Sequence, residues 1–368
     1  MRMVRKGKVI VTGFGVILLL ALFLVLMLVS SCKKSETPAS PAEEETTAVS
    51  PVTTEEISQE QEEVPGGPYS PYDGKEVDQD ISNLRPLAII VENLPVARPQ
   101  SGLTKASVVY EIVSEGGVTR YVVIYGPNIN PEIIGPVRSA RPYYVEIAHS
   151  FDALFASFGG SEQAVKVIDY LEIPDIDAIR TGAPHWRDQS RSAPNNAYMN
   201  ANKLRAFAEN KGYSLSGGRS PFLFKEDAPE EGSGEPDTIV VNFSQPSFEA
   251  KFVYNLEGND YLKYVAGNPH VDRETGEQIR VKNVIVQITD IVNVGGEPGH
   301  VAVRTTGEGQ AFYFLDGKGI SGTWRREGVD DPFAYLDQDG APVKFNRGQI
   351  WVCFVPSEEN LAATSLGD

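Results

Sequence analysis

Cysteine is nearly missing from this chain: 368 residues contain 2, Cys32 and Cys353. A framework of disulfides is thereby excluded, although an oxidising compartment would permit one. Histidine is almost as scarce. The 4 histidines (His149, His185, His270, His300) form neither His-x-His nor His-Glu-x-x-His spacing, so no metal is expected and no cofactor either. Basic residues are outnumbered, 33 Lys and Arg against 50 Asp and Glu, a formal charge of −17. A polyanion would be repelled by such a surface, which argues against nucleic acid as a partner. No internal repeat of fixed period is present. Catalytic signatures are lacking too: Gly159-Gly160-Ser161-Glu162-Gln163 is not the Gly-x-Ser-x-Gly elbow, and no histidine is spaced to activate Ser161. Gly317-Lys318-Gly319-Ile320-Ser321-Gly322 spells the dinucleotide fingerprint, but Thr323-Trp324 continues as strand and no helix opens to receive a pyrophosphate. A hairpin turn is expected there.

What the chain does have begins at its N-terminus. Arg2, Arg5, Lys6 and Lys8 precede an apolar run from Val9 to Val29, which is followed by Ser30, Ser31 and Cys32. Positive charge, an apolar segment and small residues before a thiol are the order of a bacterial lipoprotein export signal. Residues 1–32 are therefore read as a signal peptide with Cys32 as the lipidated residue, carrying acyl chains such as palmitate. The other reading is an uncleaved anchor, since about 20 apolar residues span ~30 Å of hydrocarbon. Either way the rest of the chain lies outside the cytoplasm, held at the membrane.

Residues 33–84 are rich in Glu, Ser, Thr and Pro, as in Glu43-Glu44-Glu45-Thr46-Thr47, and are expected to be a disordered tether. Taking roughly 50 residues, its typical reach is about 40 Å. The folded part is expected to start at Arg85-Pro86. Leu87 to Val91, Val108 to Val113, Tyr121 to Tyr125 and Ala153 to Phe158 read as strands. Tyr144, Ile147, Ala148 and Phe151 fall at i, i+3, i+4, i+7 behind Pro142, a helical stripe, and Ser161 caps a second helix. This alternation predicts an α/β (or α+β) domain over 85–224. After a polar linker, 225–236, runs such as Thr238 to Asn242, Val284 to Ile291 and Ile350 to Val355 predict a mainly β domain over 237–358, with 359–368 as a tail. Cys353 falls in the last of these runs and is expected to be a core thiol.

The densest polar constellation lies in the first domain. Arg120, Arg138 and Arg141 accompany Ser139 and the turn Gly159, Gly160, Ser161 that opens a helix. Guanidinium forks and exposed backbone N–H groups together suit a small anion. The same arginines are equally suited to pair with Glu111, Glu115 or Glu146. Trp186, on a loop with Arg191, can stack on a sugar or a partner surface. Glu115 and Asp152 are the acid/base candidates of an alternative reading as a wall hydrolase. Glu111 and Glu115 alone make a poor dyad, about 13 Å apart along a regular strand, against roughly 5 to 10 Å in glycosidases. The leading expectation is a non-enzymatic envelope protein that binds a small anionic or glycan ligand, a wall component or an envelope protein.

These residues also carry a family resemblance. Arg85-Pro86 with Glu92-Asn93, Ala97-Arg98-Pro99-Gln100-Ser101-Gly102-Leu103, Glu115-Gly116-Gly117-Val118-Thr119-Arg120, Gly135-Pro136-Val137-Arg138-Ser139-Ala140-Arg141, Gly322-Thr323-Trp324 and Gly348-Gln349-Ile350-Trp351 resemble the YerB-like lipoproteins of bacteria. The resemblance covers nearly everything after the tether. It implies an anchored envelope protein with an N-terminal and a C-terminal domain, and no assigned activity. Where the family is expected to place Pro-His-Asn before a tyrosine, this chain has Pro194-Asn195-Asn196-Ala197-Tyr198, which removes an imidazole from that position.

Overall fold

The computed structural model of the chain describes residues 67–228, 237–296 and 299–366. Its first half supplies strands β1 (Leu87–Glu92), β2 (Val108–Val113), β3 (Thr119–Tyr125), β4 (Leu154–Ser157) and β5 (Asp175–Asp177), with helices α1 (Pro142–Ser150), α2 (Glu162–Tyr170) and α3 (Ala201–Asn210). The second half supplies β6 (Thr238–Val241), β7 (Ala250–Asn255), β8 (Asp260–Val265), β9 (Asn283–Ile288), β10 (Gly307–Leu315), β11 (Lys318–Arg326), β12 (Ala334–Asp337), β13 (Ile350–Val355) and β14 (Leu361–Ala363). The result is a mixed fold with one large sheet and few helices.

Every residue of β1, β2, β3 and β13 is buried. Unbroken runs of Val, Ile, Leu and aromatics, in place of alternation, fit strands covered on both faces. They form the centre of a ten-stranded sheet of order β12-β11-β10-β9-β13-β2-β3-β1-β4-β5. The C-terminal β13 lies parallel between β9 and β2, so a single sheet runs without a break from the first half of the chain into the second. One face, with Ile90, Tyr110, Ile112 and Val122, is covered by Tyr144, Ile147 and Ala148 of α1, Ala164 and Ile168 of α2, and the aromatic group Phe222, Tyr335 and Phe345. The other face, with Ile89, Val109, Tyr121, Trp351 and Cys353, packs on Leu204 and Ala208 of α3 and on Ile239, Val241, Phe252 and Tyr261 of a second sheet, which contains β8-β7-β6-β14. Cys353 is fully buried there, as expected of a core thiol.

Two boundaries differ from the sequence reading. Residues 67–84, expected in the tether, pack against the fold: Tyr72 has no exposed surface and Ile81 is 3 % exposed, and the Tyr72 hydroxyl donates to the Leu84 carbonyl at 2.7 Å. A few concentrated aromatic and aliphatic side chains suffice where mean composition points to disorder. Residues 361–363, expected in the tail, form β14 and pair antiparallel with β6. Residues 1–66, with Cys32 and most of the tether, lie outside the described residues, as do 229–236 of the linker. Among the described residues no helix is long and apolar enough to cross a membrane.

Candidate functional site

Antiparallel pairing of β1 with β3 puts Glu92 opposite Arg120 at one end of the sheet, and the short turn before β3 carries Glu115. Arg138 and Arg141 reach the same place from the segment that leads into α1. The Glu92 carboxylate lies 2.9 Å from Arg138 Nε and 3.6 Å from Arg120 Nε. Glu115 lies 3.4 Å from Arg120 Nη1, contacts Arg141 Nε and accepts from Ser114 Oγ at 2.5 Å. His300 Nδ1 stands 3.7 Å away from it. Burial pushes the Glu115 carboxyl up, but the hydrogen bonds from Arg141 and Ser114 and the charge of Arg120 outweigh that and hold it at about 2. The three arginines of the expected anion site do converge, yet they converge on the protein's own carboxylates. Glu92 is completely buried and Glu115 nearly so, so each arginine is the counter-charge of an acid largely removed from water.

The glycine turn is also served from within. Gly159 sits at φ +74°, a conformation that favours glycine, and its N–H donates to the Asp177 carboxylate at 2.5 Å. Asp177 accepts as well from Ser157 Oγ, Ile179 N and Arg180 N. Ser161 Oγ accepts from Ala164 N at 3.1 Å as the cap of α2, and Ser139 Oγ donates to the Phe158 carbonyl. Gly160 bridges to Ala140 beside it. Ser139, Gly159 and Ser161 thus make their hydrogen bonds within the protein. Arg191 donates to the carbonyls of Ala97 and Pro99.

Glu115 and Asp152 are not brought together. Leu154, just after Asp152, registers with Leu87 at the start of β1, whereas Glu115 shares Arg120 with Glu92 at its end. Five residues of strand at ~3.3 Å separate those ends by about 17 Å, beyond the reach of an acid/base pair. Asp152 instead pairs with Arg85 at 3.0 Å.

Behind the arginine cluster, Glu111 and Lys263 are both fully buried, with Oε2 to Nζ 3.4 Å. Glu111 accepts further from Asn93, Thr119 and Trp351 Nε1, while Lys263 lies 4.4 Å over the Trp351 ring. Burial pushes the Lys263 ammonium down in pKa and the Glu111 charge opposes that. This pair ties the two sheets together. Among the described residues there is no group of three or more metal-ligating side chains.

A different site opens at Trp186. The ladder Trp186–Arg187 with Ala197–Tyr198 sets Trp186 beside Tyr198, their rings stacked at 6.0 Å and 25°. Trp186 is 37 % exposed, while Trp324 and Trp351 are fully buried. A cavity of about 170 Å³ lies here, lined by Ile133, Trp186, Asp188, Tyr198, Arg273 and Glu274. Arg273 donates to Asp188 Oδ2 at 2.5 Å, to the Tyr198 hydroxyl at 3.0 Å and to Ser190 Oγ at 3.1 Å. Hydrogen bonds from the Ser190 hydroxyl and amide, then Arg273, hold the Asp188 carboxyl at about 2. Of these residues the sequence singled out Trp186 alone. Arg273 and Glu274 lie in the tight turn Asp272-Arg273-Glu274-Thr275-Gly276, and nothing in the sequence of that turn points 85 residues back to Asp188.

With this geometry in hand, comparison with known proteins places the chain. Residues 73–214 match the N-terminal domain, and residues 239–352 the C-terminal domain, of the family described as "Protein of unknown function (DUF3048)". The chain belongs to that family. A relative from Bacillus subtilis (strain 168), named "Putative lipoprotein YerB", is 30 % identical over 306 residues, which cover 81 % of this chain and 89 % of the relative. The crystal structure of YerB protein from Bacillus subtilis is similar in fold, with a TM-score of 0.72 at 27 % identity, covering 80 % of this chain and 99 % of that one. The resemblance read from the motifs is thus borne out.

Proposed function

We propose that this protein is a lipid-anchored, extracytoplasmic binding module that holds an envelope glycan against Trp186. The anchor rests on the order of charge, apolar run and Cys32 at the N-terminus and on the name of the Bacillus relative. The observation that carries the binding reading is an exposed tryptophan, stacked on Tyr198, above a small cavity rimmed with Asp188, Arg273 and Glu274. An aromatic face takes the C–H side of a sugar ring while polar groups at its edge take the hydroxyls. At about 170 Å³ the cavity falls below the roughly 300 Å³ of sites for larger molecules. One ring fits it better than a folded chain.

Binding is favoured over hydrolysis because glycoside hydrolysis takes a pair of working carboxylates, and of the two that line the cavity only Glu274 is free of an ion pair among the described residues. Asp188 faces the cavity, yet its Oδ1 accepts from Ser190 N and Oγ and its Oδ2 from Arg273, leaving it poorly placed as a base or nucleophile. Purified wall glycan mixed with the full chain is expected to retain it, and Trp186→Ala to weaken retention about tenfold. Equal retention of the two forms would refute the reading.

A further inference from the structure

Resting on the glycan reading of the Trp186 cavity, we infer that the sugar it takes carries a free amine, as in a hexosamine whose nitrogen bears no acyl group. The argument is one of charge. Of the three charged side chains lining the cavity, Asp188 and Arg273 form a closed pair at 2.5 Å. Glu274 is left over. Its Oε1 accepts from Ser101 Oγ at 2.7 Å, and no ion pair reaches it among the described residues. The backbone holds that carboxylate in place, since Glu274 N donates to Asp272 Oδ1 at 2.9 Å, and Asp272 adds a second, buried negative charge behind it.

A negative rim in a chain of net charge −17 disfavours uronic acids and phosphorylated sugars. An ammonium on the ring gains a charge-assisted hydrogen bond to Glu274 and a favourable position near the exposed face of Trp186. Acylation removes that charge and with it the charge-assisted contact to Glu274. The chemistry of the site therefore runs opposite to the anionic ligand that the arginines imply from sequence.

Calorimetric titration of the detergent-solubilised full chain, at mildly acidic pH where the amine is charged, tests this with β-1,4-linked trimers of glucosamine and of N-acetylglucosamine and with the α-1,4-linked trimer of galacturonic acid. The glucosamine trimer is expected to bind about tenfold or more tighter than the acetylated one, and galacturonic acid weakest. Glu274→Gln should erase that preference while leaving residual binding, and Trp186→Ala should weaken binding of both neutral and amino sugars. Equal or tighter binding of N-acetylglucosamine overturns the inference but keeps the glycan reading. Preference that survives in Glu274→Gln also overturns it, because the amine is then recognised by something other than that carboxylate. If no trimer binds, the glycan reading itself falls.

Discussion

The arginine cluster at the end of the central sheet and the Trp186 cavity contain similar residue types and have opposite characters. In the cluster, Arg120, Arg138 and Arg141 enclose Glu92 and Glu115, all with side chains no more than 17 % exposed. In the cavity, Arg273 and Asp188 are matched, but an exposed indole and the carboxylate of Glu274 face solvent. Charge density alone does not mark a ligand site. On the reading proposed above the unmatched group does, because a buried pair of opposite charges gains little from exchanging its partner for a ligand.

That contrast is open to direct attack, most strongly at Glu92. Glu92→Ala strands Arg138 and part of Arg120 in a buried setting, and is expected to destabilise the fold by about 3 to 5 kcal/mol. Chemical denaturation reads this directly; a loss under about 1 kcal/mol would mean that the cluster is not structural. Acid provides a second, somewhat smaller effect. The folded-state carboxyl of Glu115 lies at about 2, below its unfolded value of about 4.3. Its stabilisation is therefore fully present above the unfolded value and is lost as pH falls from about 4.3 towards 2, a contribution of about 3 kcal/mol. Melting followed across that window should fall less steeply in Glu115→Gln, and identical slopes would dismiss the assignment. The smallest effect belongs to the cavity. Glu274→Gln should change stability by no more than about 0.5 kcal/mol, as for an exposed residue, and a larger loss by thermal melting would make Glu274 a structural acid.

Much of the fold is legible in the chain because its signals are local. Leu87 to Val91 and Ile350 to Val355 announce buried strands, Pro142 with the stripe Tyr144, Ile147, Ala148 fixes α1, and Ser161 caps α2. Helix α3 is harder to see, since its buried face is Ala201, Leu204 and Ala208 and its main signal is the Asn200 cap. The insertion of β13 between β9 and β2 joins residues more than two hundred positions apart, and no local pattern encodes that choice. The same limit governs the sites. The sequence offers Glu111, Glu115 and Glu146 as partners of the arginines; Glu115 does pair with Arg120 and Arg141, but Glu92 takes Arg138 because the bridge between Val91 and Val137 lays the segment carrying Arg138 along the end of β1. Glu146 instead accepts from Thr305. Trp186 stands out as a lone indole on a polar loop, whereas Arg273 and Glu274 acquire their meaning from a contact across the fold.

The central claim is that ligand is held at Trp186 and that the arginines hold the protein. It is tested most directly by measuring glucosamine-trimer affinity for Trp186→Ala and Arg141→Ala side by side in the full chain, with a melting curve for each. The account predicts that Trp186→Ala binds about tenfold more weakly and melts as the parent does, while Arg141→Ala melts lower and keeps its affinity at temperatures where it is folded. An Arg141→Ala protein that melts normally but no longer binds, beside a Trp186→Ala protein that binds like the parent, would contradict it.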